Sequence, residues 1–304
     1  MTAPLIISII HYLVCTVGTI TNLGLIAIII FRTPRSMRSY SILLFSQTLL
    51  QSVTCITSGM VFMRLIPQDM SVFFVMSGHS FSSYRVMYYL YSAMLHGHAH
   101  YAIMLAVCFA YRLFVILYPI PRVRIAAAAV TMIYLPTFII FIWFATSTLY
   151  DQATSKQLLA RRGPDYVFDE NDIVTGVVSF LEPSAITGIF WVIVPCLPAY
   201  VIVIEVSRRI SRKLSSNSAH LSEKTRASHK EIMKGLVLQA CLPAVYLLSS
   251  GTYIAGQMNP AHSLNFEFST HMSGELIAAT SPFLTLYFVK PYQRSNITIF
   301  NRIN

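Results

Sequence analysis

LIISIIHYLVCTVGTITNLGLIAIIIF, residues 5–31, carries no Asp, Glu, Lys or Arg. A hydrocarbon core about 30 Å thick takes roughly 20 residues of apolar helix, so this run is long enough to cross a bilayer. No Lys or Arg precedes it, and it exceeds the apolar region of a cleaved leader, so it reads as an anchor that stays. Six further stretches have the same character: 41–63, 86–117, 125–149, 185–206, 232–257 and 268–289. They predict an all-α membrane protein: one domain over 1–304, a bundle of seven transmembrane helices, with 290–304 as a short tail. Pro121 with Arg122 and Arg124 separates the third and fourth runs, and Pro34 and Pro67 fall in connectors, where the residue before proline avoids helix.

Composition agrees with a bilayer as the solvent. The chain is 55% hydrophobic and 11% charged, with a mean hydropathy of +0.60, whereas soluble domains carry about 25% charged residues. The net charge of +10 would suit a nucleic-acid binder only if it formed a stripe on a soluble surface. It does not; the basic residues lie between apolar runs, so no nucleic-acid partner is expected.

Their placement sets an orientation, because cytoplasmic loops accumulate Lys and Arg. Arg32, Arg35 and Arg38, then Arg112, Arg122 and Arg124, the basic residues from Arg208 to Lys234, and Lys290, Arg294 and Arg302 share one side. The other side holds only Arg64, Arg85, Lys156, Arg161 and Arg162, together with most of the acids. The N-terminus is therefore expected outside and the C-terminus in the cytoplasm. Asn296-Ile297-Thr298 matches a glycosylation acceptor, but on the cytoplasmic side no sugar is expected. The segment 150–183 is read as an acidic outer loop, and 207–231 as a basic, serine-rich inner one.

The motifs of catalysis are absent. There is no GxSxG, HExxH, phosphate-binding loop or dinucleotide pattern, so no enzyme and no cofactor are expected. Cys15, Cys55, Cys108, Cys196 and Cys241 all fall in apolar runs without metal-ligand spacing, and are read as small buried hydrophobes. His96 and His100 stand at i and i+4 but have no Cys, Asp or Glu beside them. They point to packing or hydrogen bonding, and no metal site is expected.

Polar residues at bilayer depth usually face the bundle interior. Gln47, Gln51, Thr54 and Ser58 form one stripe on the second helix, and Gln239, Pro243, Tyr246, Ser250 and Tyr253 one on the sixth. Two roles stay open for such stripes, interhelical glue or a ligand lining. On the third helix Tyr91, Leu95, His98 and Arg112 share a face, the last two about 21 Å apart. Glu275, four residues after His271, is the most interior acid of the seventh run. The expected ligand site is lined by Tyr91, His98, Tyr246, Tyr253, His271 and Glu275, aromatic walls with a few polar groups.

Seven helices with an outer N-terminus, Asn22 in the first and an arginine closing the third resemble a G-protein-coupled receptor. Thr33-Pro34 through Met37 to Leu44, the stretch from His100 to Tyr111-Arg112, His229 to Lys234 leading to Leu238-Gln239, and Lys290-Pro291-Tyr292 are similar to nematode chemoreceptors, serpentine receptor class delta. The resemblance implies a chemosensory receptor of the plasma membrane, in sensory cilia, for a small molecule or pheromone, signalling to a heterotrimeric G protein. It departs from the rhodopsin-like pattern in having Tyr111 rather than an acid before Arg112, and Gln47 and Gln51 where many receptors carry an aspartate. No cysteine lies in 150–183 to make the usual loop disulfide.

The competing readings are a transporter or channel, and a membrane scaffold; neither halves-related repeats nor paired intramembrane charges are visible to support a transporter. For signalling, Tyr111, Arg112, Glu231, Arg208, Lys230 and Lys234 form the expected coupling surface. Arg112 cannot lose its charge and needs a partner when withdrawn from water. Glu231 is the expected one; Glu205 is second, because Arg208 and Arg209 at i+3 and i+4 compete for it.

Overall fold

The computed structural model describes residues 2–68, 70–76, 83–161, 166, 168, 172–216, 234, 237, 238, 241, 244, 247, 251, 264–289 and 292. Its long helices are α1 (Thr2–Arg32), α2 (Arg38–Met60), α3 (Tyr84–Leu117) and α4 (Val123–Ala145). A short α5 (Gln152–Ala160) is followed by α6 (Pro183–Ile193), α7 (Cys196–Ser216) and α8 (Leu264–Phe288). Five spans among the described residues are long and apolar enough to cross a membrane: Leu5–Arg32, Arg35–Met60, Tyr84–Leu117, Val123–Ala145 and Pro183–Ile210. The sixth predicted run falls mostly outside the described residues; those of it that are described, among them Lys234, Cys241 and Gly251, are helical.

Element ends follow local chemistry. Pro34 stops α1, a 3-10 turn over Arg35–Met37 follows, and α2 begins at Arg38 rather than at 41. Ser39 Oγ donates to the Pro121 carbonyl at 2.6 Å, tying the start of α2 to the connector between α3 and α4. The fifth predicted run is two helices. Pro195 has no N–H to give and crowds the preceding turn, so the chain turns at Val194 and Pro195 before α7 resumes.

The connectors at one end hold more order than the sequence suggested. Met63–Gln68 (β1), Ser71–Met76 (β2), Leu149–Tyr150 (β3) and Ile173–Val177 (β4) form one antiparallel sheet in the order β1-β2-β4-β3. Val72 pairs with Val177 and Met76 with Ile173, so the connector after α2 is stitched to the one after α4 by backbone hydrogen bonds. Pro67, predicted in a connector, sits on the edge strand β1 opposite Val72, where the missing N–H is tolerated. Within 150–183, read above as a loop, Asp151 caps α5 by accepting from the Thr154 N–H at 2.7 Å. That bond holds its carboxyl below the ordinary aspartate value.

Among the described residues two of the three buried clusters lie along the bundle, and the third joins the sheet to α5 through Ile66, Phe73, Val174 and Leu159. Of the two, one, at the basic end, joins Leu25, Tyr40, Leu44, Phe109, Ile210 and Tyr292. The other, at the sheet end, joins Phe74, Met76, Tyr88, Tyr91, Phe144 and Ile173. The outward faces are apolar too: Leu5, Ile9, Leu13, Ile20 and Phe31 of α1 and Met132, Ile139 and Ile142 of α4 are exposed. Water does not cover such faces, but lipid does.

Candidate functional site

The second-helix stripe turns inward as predicted, with Gln47, Gln51, Thr54 and Ser58 all buried. Cys108 Sγ on α3 lies 3.8 Å from Gln47 Oε1, and Ser58 Oγ donates to Glu275 Oε1 at 2.6 Å. Thr54 faces Gly97 of α3, where an added Cβ would collide with Thr54 Oγ1 and stand 3.2 Å from the Leu50 carbonyl. Glycine there sets how closely α2 and α3 approach.

Three of the predicted ligand residues meet along α3 and α8. Tyr91 packs edge-on against the His271 ring at 5.7 Å, and against Phe74 at 4.8 Å and Phe144 at 6.2 Å. Half-buried His98 lies over Gly274, whose added Cβ would stand 2.6 Å from the imidazole Cε1 and Nε2. His271 is buried, and its Nε2 finds no hydrogen-bond partner among the described residues. Tyr246 and Tyr253 lie outside the described residues.

Glu275 faces α1 and α2. It is 2% exposed, its carboxylate accepts from His11 Nδ1 at 2.9 Å through both oxygens, and Ser58 takes a further lone pair. A basic ligand pairing with Glu275 would have to displace His11. Cys15 Sγ lies 4.0 Å from His11 Nδ1. Of the other cysteines read as buried, Cys55 and Cys108 are so, whereas Cys241 is exposed and the Cys196 side chain is outside the described residues. Cys241 stands on the sixth run, and its outward position reflects the helix phase that an apolar run by itself does not fix.

A second buried acid closes the sheet end. Glu267, in the first turn of α8, accepts from Arg64 Nε and Nη2 of β1 at 2.9 and 2.7 Å and from the Tyr166 hydroxyl at 3.0 Å. The Arg64 guanidinium also lies 6.0 Å from the Tyr166 ring and 5.8 Å from that of Phe168. Sequence reading used Arg64 and Glu267 only as charges of the outer side. It missed this clamp and passed over His11, whose signal was a lone imidazole inside an otherwise apolar run.

At the basic end Arg112 is buried, its guanidinium 3.6 Å from the Tyr40 ring centre. Tyr40 in turn stacks on Tyr111 at 5.6 Å. Among the described residues Arg112 Nε and Nη2 have no hydrogen-bond partner. Glu231 and Lys230 lie outside those residues. Glu205 is taken by Arg209, whose Nε donates to it at 2.7 Å, the local competition foreseen from its spacing. Arg208 and Lys234 are exposed. His96 and His100 pack against Tyr134 of α4 at 5.3 and 5.4 Å, in the packing role expected of them.

The family model described as serpentine type 7TM GPCR chemoreceptor Srd matches residues 7–298. Among curated relatives, serpentine receptor class delta-1 of Caenorhabditis elegans is 26% identical over 95% of this chain and 79% of its own length. Serpentine receptor class delta-3 of the same organism is 26% identical over 96% of this chain and 87% of its own. The class delta-2 receptor, also 26% identical, covers 94% and 81%.

Proposed function

The chain belongs to the Srd family of serpentine seven-transmembrane chemoreceptors, a multi-pass membrane protein, and from that premise we propose that it binds a small molecule or pheromone at the sheet end and signals to a heterotrimeric G protein at the basic end. The N-terminus and the sheet face outward and the basic end faces the cytoplasm, in keeping with the bias of Lys and Arg. A sensory cilium suits a receptor of this family.

The observation that supports this most is the meeting of Tyr91, His98 and His271 between α3 and α8. It gives an aromatic wall with two imidazoles, the composition of a small-molecule site, and Tyr246 and Tyr253 of the sixth run complete the proposed lining. An imidazole with an unused nitrogen offers a hydrogen bond to an acidic or carbonyl-bearing ligand. Glu275, one turn after His271 on α8, is held by His11 and Ser58.

For the switch, Arg112 rests on Tyr40 and awaits an anionic partner, for which Glu231 is proposed, since Glu205 is already paired. Movement of the sixth helix would separate Arg112 from Glu231 and present it, with Tyr111, Arg208, Lys230 and Lys234, to the G protein. The test is a second-messenger assay in cells challenged with a panel of small acids and pheromone-like molecules. His98→Ala with His271→Ala lowers potency at equal surface expression, Glu231→Gln raises basal signalling, and Arg112→Ala abolishes the response. Unchanged potency in the double variant overturns the pocket, and a full response from Arg112→Ala overturns the switch.

A further inference from the structure

We propose that His11, Cys15 and Glu275 form a binding site for a borderline-soft divalent cation, Zn2+ being the best match, which bridges α1 and α8. The imidazole nitrogen, the thiol sulfur and a carboxylate oxygen all lie within 4.8 Å of one another. His11 is 1%, Cys15 4% and Glu275 2% exposed. His11 and Cys15 stand at i and i+4, one turn apart on a single face, so α1 presents both to the same point.

The donor set is the one Zn2+ takes, nitrogen near 2.0 Å, sulfur near 2.3 Å and oxygen near 2.0 Å. Around a tetrahedral ion with those bond lengths nitrogen and oxygen stand about 3.3 Å apart and sulfur about 3.5 Å from either, so the His11–Glu275 pair, now at 2.9 Å, opens slightly and Cys15, now 4.0 Å from His11 Nδ1, closes slightly. Charge also fits. A thiolate and a carboxylate neutralise a divalent cation, and a neutral site suits a buried position at bilayer depth better than a lone carboxylate does.

One further feature points to the same use. Ser58 Oγ, donating to Glu275 Oε1, holds the carboxylate's rotation, as the neighbours of metal ligands usually do. Tyr12 and Phe62 flank the His11 ring at 4.9 and 4.7 Å, and Phe62 stacks on Phe268 at 5.0 Å. These rings screen the site from bulk water and leave Ser58, a water or a ligand atom to fill a fourth position. On binding, the Cys15 thiol proton and any proton shared by His11 Nδ1 and Glu275 pass to water, so affinity rises with pH.

The experiment uses the full chain in lipid nanodiscs, titrated with Zn2+ against a chelating indicator and, separately, with Co2+. One Zn2+ per chain is expected, together with a thiolate-to-cobalt charge-transfer band and a rise in melting temperature on adding Zn2+. Cys15→Ser removes the band, Glu275→Gln weakens Zn2+ by more than about tenfold, and Cys108→Ser, with its sulfur elsewhere in the bundle, changes neither. Absence of stoichiometric uptake by the parent chain at micromolar free metal overturns the proposal, whether or not any variant folds. Uptake with the same affinity in Cys15→Ser and Glu275→Gln overturns it as well. Because the assay reads metal directly, its failure leaves the chemoreceptor reading untouched.

Discussion

Replacing Glu267 by glutamine removes one charge from the clamp that fastens the sheet to α8. The carboxylate now takes two hydrogen bonds from Arg64 and one from Tyr166, and the side chains are 13% exposed for Arg64 and 2% for Glu267. Breaking a buried ion pair by removing one partner costs about 3–5 kcal/mol, because the other charge is left uncompensated. Arg64 keeps some contact with water, which puts the cost at the lower end, about 3 kcal/mol. At about 2 °C per kcal/mol for a chain of this size, the melting temperature of purified protein falls by about 6 °C. The loss should be local first, so amide exchange over residues 63–76 and 173–177 accelerates before that of α1 or α3. Arg64→Met made together with Glu267→Gln removes the stranded cation, and the pair should lose less than the sum of the single variants. A Glu267→Gln protein that melts within about 1 °C of the parent, with unchanged exchange in the strands, would refute the clamp.

Gly97→Ala places a methyl against Thr54 and the Leu50 carbonyl, so α2 and α3 must separate, at a cost of about 1–3 kcal/mol. A lower melting temperature with partial rescue by Thr54→Ala is the expected result, and a neutral Gly97→Ala would show that the interface yields freely. An epitope inserted at Ser216, just past the basic turns of α7, should be reached by antibody only in permeabilised cells. Staining of intact cells would invert the topology.

Some of the packing around the proposed site was legible in the sequence alone. The inward stripe from Gln47 to Ser58, the local capture of Glu205 by Arg209 and the packing of His96 and His100 follow from spacing on one helix, which 3.6 residues per turn converts directly into a face. Other parts were not. Lys, Arg, Asp and Glu can be counted from the chain, but Arg64 meeting Glu267 requires knowing that β1 lies beside the start of α8. The strands were hidden because segments of two to six residues of mixed character, such as Leu149–Tyr150 and Met63–Gln68, are too short to show a period that separates them from helix ends.

What the sequence determined by itself is where the apolar runs lie and that the basic residues collect between alternate pairs of them. Both are local: in a bilayer each backbone N–H and C=O must be satisfied within its own segment, so a run of apolar residues becomes a helix without reference to its neighbours. Only the tertiary structure decided which faces meet. A helix as uniformly apolar as α1 leaves its rotation undetermined by hydrophobicity, since lipid and protein interior are equally apolar surroundings. The angle at which α1 turns His11 and Cys15 toward Glu275, 264 residues further on from His11, is fixed by polar pairing. So is the register that joins β2 to β4, because both are choices among distant partners, made when the helices pack.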